Sequence, residues 1–354
     1  MAKIDTGAGG WGPDGVKDTA DDQCYGLYTP VLIDHNLDGK VDYAYAGDLL
    51  GNLWKFDLTA TSPASWKVAY GSMGDPQPLF VAKNREGRRQ PITTQPDVMS
   101  HCRFSRSGYL VSFGTGRYLG DDDFTDNSVQ SLYGIWDWAR AWEIIGVDST
   151  NKYHGEFTPG RQLSNLAALG INATLQEQTQ IYYGSFFGEK YGILSDNKIN
   201  WYSPNGGSGQ HVGWYFDLPA TGERTVRDVI IRDTIAVVVS SIPSSSPCSS
   251  GGYSYLTEIN ACNGGRTISA QFDANNDGVI DSRDLVDIGS SAKSQKSSLS
   301  RKEVQGMPHA PAVAEIPGTD IEVKYFSNSD GSVIPIKEKK IQLGMSSWRE
   351  IEGK

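Results

Sequence analysis

A chain of 354 residues and 38.6 kDa is long enough for one large core or two moderate ones, and all-β barrels and propellers use such a length as a single domain. Its formal charge of −10 and pI near 5.0 argue against a nucleic-acid surface, which needs a basic stripe, and suit a protein that attracts divalent cations. No apolar run reaches the about 18 residues of a membrane-spanning helix, and the opening MAKIDTGAGG lacks the apolar core of a signal peptide, which leaves a cytosolic protein or a processed fragment.

In chain order, strand candidates recur at short spacing. They are TPVLI, VDYAYAGD, GNLWKFDL, YLVSFGTG, SLYGIWDW, QIYYGSFF, GWYFDLP, RDVIIRDTIAVVVSSI, YSYLTEIN, IEVKYFS and SVIPIKE. Gly or Asp/Asn turns separate most of them, and the 40 glycines, 9 tryptophans and 17 tyrosines fit strands joined by tight turns. LFVAKNREGRRQPITTQPDV reads as a hairpin around Glu86-Gly87. Helical spacing of apolar residues in GRQLSNLAALGINATLQEQ (160–178) predicts a short helix. The Ser/Lys-rich stretch 289–311 reads as a flexible loop. The fold class is all-β with minor helical insertions, and the repeated glycine–strand–aromatic-Asp units favour a propeller over a sandwich. A single propeller-type domain over 1–354, with inserts near 140–185 and a loop near 289–311, is the expected organisation.

Two stretches carry cation chemistry. In DHNLDGKVD, Asp34, Asn36 and Asp38 take positions 1, 3 and 5 of a calcium loop, Gly39 the sharp turn at 6, the Lys40 carbonyl position 7 and Asp42 position 9. Position 12 is Tyr45, which cannot ligate, so Asp42 must take the bidentate role in a nine-residue loop. Such compression suits a loop between strands, with Trp54 and Phe56 of the following hairpin packing in a core. The alternative is an Asx-rich turn without metal. In DANNDGVIDSRD, Asp273, Asn275, Asp277, the Val279 carbonyl, Asp281 and Asp284 match positions 1, 3, 5, 7, 9 and 12, with Gly278 at 6. Both loops are expected to hold Ca2+, the second chiefly to stiffen its own excursion. The acidic stretch 14–23 reads as a solvated loop.

The four cysteines form no C-x-x-C and no zinc spacing. Cys248 and Cys262 bracket a turn and a strand and are expected to pair. Cys24 with Cys102 is the remaining pair, and four buried thiols are the alternative. His35, His101, His154, His211 and His309 are scattered, with no Ser or Cys in a nucleophile setting. No catalytic residue set converges, so no enzymatic activity is expected.

One ordered set of segments resembles a known family. KIDTGAGG, the first loop, YAGDLLGNLWKFDL, RQPITTQPDV, SFGTGRYLG with SLYGIWD, GWYFDLPATGERTVRD, SSIPSSSPCSSGGYSYLTEINACNGG and the terminal SWREI occur in one order. That order resembles the carboxy-terminal domain of the PilY/PilC family of type IV pilus tip-associated proteins. The resemblance covers most of the chain. It implies a modified quinoprotein-like β-propeller, here begun partway in. It also implies export to the pilus tip, outer membrane or cell surface, and partners among pilus components such as minor pilins, with a host-cell or surface receptor for adhesion. The family's calcium ligands fall on Asp34, Asn36, Asp38, Lys40 through its carbonyl, and Asp42. The implied role is promotion of pilus extension against retraction, and so of twitching motility and attachment. Two other classes compete. A quinoprotein-like dehydrogenase would show a vicinal cysteine pair, which the sequence lacks. A dockerin-like or lectin-like surface module would need its loops close together, and these lie about 240 residues apart.

Overall fold

Short runs in which apolar side chains alternate with small or polar ones can bury one face, or both, only as strands of stacked sheets. The computed structural model describes residues 3–7, 25–72, 74–103, 107–138, 156–157, 173–203, 208–244, 251–289, 295–319 and 321–340. Among these residues the helical elements are three single 3-10 turns, Pro63–Ser65, Asp121–Phe124 and Ser282–Asp284; the rest of the regular structure is strand.

Three large sheets dominate. Sheet one runs Val31–Ile33, Tyr43–Gly47, Asn52–Asp57, Phe80–Ala82, Glu156–Phe157, with Lys67–Val68 also on Asn52–Asp57. Sheet two runs Thr174–Gln178, His211–Asp217, Ser131–Asp137, Tyr109–Gly114, Asp97–Ser100. Sheet three runs Gln180–Phe186, Glu189–Leu194, Arg301–Gln305, Gly252–Asn260, Ile235–Pro243, Arg224–Thr225, with Ile230–Arg232 also on Ile235–Pro243. A smaller sheet joins Ala312–Glu315, Ile321–Ser327 and Val333–Lys339. The chain leaves and re-enters sheet three, since Arg301–Gln305 slots between strands more than forty residues earlier.

One continuous core takes side chains from all three large sheets, among them Tyr45, Phe80, Phe113, Tyr133, Trp136, Trp214, Leu194 and Val238. Sheet three is covered on both faces. Val238 faces this core, while its neighbour Val239 faces a second cluster with Leu256, Phe272, Phe326 and Ile336. That second cluster ties the small sheet and the 272–286 segment to sheet three. Trp54 and Phe56 are buried, as expected, but in a satellite cluster with Ala44, Ala46 and Val68 on the outer face of sheet one.

Three expectations are corrected. The helix expected over 160–178 is a strand at Thr174–Gln178, running parallel to His211–Asp217; 160–172 lie outside the described residues. Parallel pairing in a buried sheet outweighs the local periodicity, which a short apolar run carries only weakly. Thr174–Gln178 and most of Gln180–Phe186 fall within the stretch 140–185, and they pair in sheets two and three. The flexible loop expected over 289–311 contains the inner strand Arg301–Gln305, while 290–294 lie outside the described residues. Its polar groups are satisfied internally. The wholly buried Arg301 guanidinium pairs with Glu223 and donates to Gln180 Oε1 at 2.9 Å, and the Ser300 hydroxyl accepts from the Leu194 amide at 3.1 Å.

The third correction is the disulfide. Cys102 pairs with Cys262, 160 residues apart with Cα atoms 5.9 Å apart. The expected pairs Cys248–Cys262 and Cys24–Cys102 are thereby both excluded, and Cys24 and Cys248 lie outside the described residues. Proximity in sequence misled because the turn after Gly252–Asn260 is carried beside the end of Asp97–Ser100. The bridge therefore fastens sheet three to sheet two.

Candidate metal centre

Residues 34–42 are the connection of a hairpin. Ile33 pairs with Tyr43, and the Asp42 amide donates to the Ile33 carbonyl at 2.8 Å. Asp42 is thus held at the start of a strand while its carboxylate turns back over the loop. Its Oδ2 accepts from the amides of His35 at 2.8 Å and Asn36 at 3.2 Å. Asp34 accepts from the amides of Asp38 at 3.1 Å and Gly39 at 2.7 Å. Asn36 Oδ1 accepts from Asp38, and Asp38 Oδ1 from Lys40, both at 2.9 Å. Gly39 adopts φ +83°, a left-handed conformation that strains residues with a Cβ.

The second loop repeats this wiring. Asp273 Oδ2 accepts from the Gly278 amide at 3.0 Å, Asn275 Oδ1 from Asp277 and Asp277 Oδ1 from Val279, both at 2.9 Å. The fourth residues, Leu37 and Asn276, have φ of 60° and 58°, and Gly278 matches Gly39 at 83°. Asp284 Oδ1 accepts from the amides of Ala274 at 2.8 Å and Asn275 at 3.2 Å, the bonds Asp42 makes three positions earlier in its own loop. Asp42 in nine residues and Asp284 in twelve therefore do the same job. In the shorter loop, strand pairing replaces the 3-10 turn Ser282–Asp284 that brings Asp284 home.

Among the described residues no three His, Cys, Asp or Glu side chains close on a common point for a metal ion. The loops instead present oxygens held in place by backbone amides. Carboxylate, amide and carbonyl oxygens without nitrogen or sulfur are the donor set of a hard cation, and both loops fit Ca2+ in that respect. Asp273 Oδ1 adds a second sign, since it is buried and has no hydrogen-bond partner, a costly state without a cation or donor. The loops differ in their internal competition. Arg283 lies 2.9 Å from both Asp277 and Asp281 and holds the Asp281 carboxyl below its usual range. In the first loop the exposed Lys40 approaches Asp38 at 3.5 Å, a looser contact.

Several contacts around the first loop were not foreseen from the sequence. His35 Nδ1 lies 2.6 Å from the Tyr109 hydroxyl, at the start of a sheet-two strand. Beneath the loop, the buried Lys55 ammonium contacts Asp137 Oδ2 at 2.7 Å and sits 4.4 Å above the Tyr43 ring. Tyr45 donates to Asp137 at 2.7 Å, and Tyr70 donates to it as well. Burial first, and then the Asp137 carboxylate, raise both phenol pKa values well above the usual one. Buried Asp48 accepts from the Leu50 and Asn52 amides and from Trp54 Nε1. The glycine-flanked GDLLGN turn was the available signal for Asp48. Nothing local marked Lys55, whose partner is 82 residues away.

Residues 16–158 match the family model of the PilY1 beta-propeller domain. The chain is 33% identical over 355 residues to the Type IV pilus biogenesis factor PilY1 of Pseudomonas aeruginosa, covering 93% of this chain and 28% of that protein. A PilY1 homolog of Xylella fastidiosa is 32% identical over 263 residues, covering 72% of this chain and 15% of the homolog. The crystal structure of the Pseudomonas aeruginosa PilY1 C-terminal domain aligns with a TM-score of 0.67 at 29% identity, over 89% of this chain and 61% of that one. The chain spans less than a third of the length of these curated relatives.

Proposed function

Since the chain belongs to the PilY1 family, we propose that it is the calcium-holding β-propeller part of a non-enzymatic type IV pilus biogenesis protein. In this reading it works at the pilus or cell surface, contacts pilus components such as minor pilins, and biases extension against retraction. Attachment to a surface receptor belongs to the same reading. The oxidising compartment that a disulfide requires supports export.

The observation that carries the calcium reading is the shared wiring of Asp42 and Asp284 around two loops of different length. Asp34, Asn36, Asp38, the Lys40 carbonyl and Asp42 would hold the ion in the first loop. Asp273, Asn275, Asp277, the Val279 carbonyl, Asp281 and Asp284 would hold it in the second. A bound Ca2+ supplies the positive charge that these carboxylates otherwise lack. The chain's own part is transmission. Asp42 leads directly into Tyr43, on whose ring Lys55 rests, and His35 reaches across to Tyr109. Ordering of the loop is thereby felt in sheets one and two, a local change with a readable surface rather than a folding event.

The test is genetic. A strain whose only copy carries Asp42→Ala is expected to show altered pilus display and impaired twitching while the protein is still exported. Normal extension and retraction with a variant proven to bind no metal there would reduce the site to a structural one.

A further inference from the structure

A cavity of 360 Å³ opens between the small sheet and the far face of sheet three. Its volume lies at the low end of the range of about 300–1,000 Å³ for ligand pockets, room for one aromatic amino acid and its immediate attachments. Three rings contribute to its wall. Tyr191 comes from sheet three and Tyr325 from the small sheet, while Phe272 leads into the second loop; the Tyr191 and Phe272 ring centroids are 6.2 Å apart. Two lysines also line the cavity, Lys302 from sheet three and Lys337 from the small sheet. Among the described residues Asp273 is the one carboxylate that lines the wall, and its Oδ2 accepts from the Gly278 amide. Lys337 forms a long ion pair with that oxygen at 3.9 Å, beyond hydrogen-bond range. Lys302 pairs with the half-exposed Glu189, which also accepts from the Tyr191 hydroxyl at 2.9 Å, so an incoming carboxylate competes with Glu189 for this ammonium.

We propose that this cavity binds a small ligand with an aromatic body and one carboxylate, the body against the rings and the carboxylate between Lys302 and Lys337. Such a group is carried by a peptide that ends in an aromatic residue and by a free arylalkanoic acid. The ligand is distinct from the calcium ions proposed above, although Asp273 in the cavity wall is also one of the residues proposed to hold the second ion, which is why calcium is held fixed in the test.

Calorimetric titration at fixed calcium tests it with N-acetyl-L-phenylalanine, its neutral amide and 3-phenylpropionate. A ligand of this size is expected at roughly millimolar Kd. The acid should bind about tenfold more tightly than the amide, as expected for a charge-assisted contact. Lys337→Met should remove that advantage and leave the amide unchanged, and Tyr325→Ala should weaken both. Tighter binding of the acetylated amino acid than of 3-phenylpropionate supports a peptide end, and equal binding supports a free acid. Equal affinity for acid and amide, or no saturable binding of the acid up to ~10 mM, overturns the proposal.

Discussion

Glu338 shows how burial and charge contend at a single residue. It lies with Glu258, Glu322 and Lys324 in an almost wholly buried cluster where the small sheet meets sheet three. Lys324 binds Glu258 at 3.0 Å and also Glu338, and Arg232 grips Glu322 at 2.5 and 2.9 Å. Three carboxylates thus face two cations. Burial first, and then the neighbouring Glu258 carboxylate, push the Glu338 pKa up to about 10. An unfolded glutamate titrates near ~4.3, so folding keeps a proton that the unfolded chain releases between those values. The stabilisation is complete below the unfolded pKa and falls as pH rises, by about 1.4 kcal/mol per pH unit from this group until the folded pKa is passed. Glu338→Gln, which mimics the protonated acid, should therefore flatten urea-denaturation stability across roughly pH 6 to 9 and exceed the parent at the alkaline end. Parallel pH slopes for the two proteins would remove this account of the cluster.

The same contrast between local and distant causes appears in the elements. The hairpin at 34–42 was legible because loop chemistry is local: the Asp, Asn and Gly spacings fix which amides their oxygens meet, and strands on either side fix its length. Strand runs such as SLYGIWD and TIAVVVSSI were legible because their apolar content admits only burial. The strand Arg301–Gln305 was not, since RKEVQ reads as solvated until Glu223, Gln180 and Thr257 are brought to Arg301 from 44 to 121 residues away. The disulfide failed for the same reason, because pairing by sequence proximity ignores where sheet three carries Cys262. Non-reducing peptide mapping is expected to give a linked peptide containing Cys102 and Cys262. In the chain-entropy model a closed loop of this length contributes about 5 kcal/mol, so Cys102→Ser should lower the denaturation midpoint strongly. A Cys248–Cys262 peptide from exported protein would contradict the placement of sheet three beside sheet two.

At the scale of the molecule, two cores share sheet three, and the proposed calcium loops sit on different ones. The first loop lies at the junction of sheets one and two, over the main core through Tyr45. The second is attached through Phe272, Ala274 and Val286 to the cluster that holds the small sheet. The strands bury their side chains whether or not either loop is loaded, so removal of calcium should leave the β-sheet spectrum intact and change only the loops and their contacts. Arg283 already neutralises part of the second loop, which makes the first loop the stronger claimant for the ion. The most direct measurement is the number of calcium equivalents bound by the purified chain and by its Asp42→Ala variant, titrated calorimetrically after chelation with far-ultraviolet circular dichroism recorded alongside. One equivalent fewer in the variant with an unchanged spectrum is expected; equal numbers in the two proteins would mean that Asp42 holds no calcium.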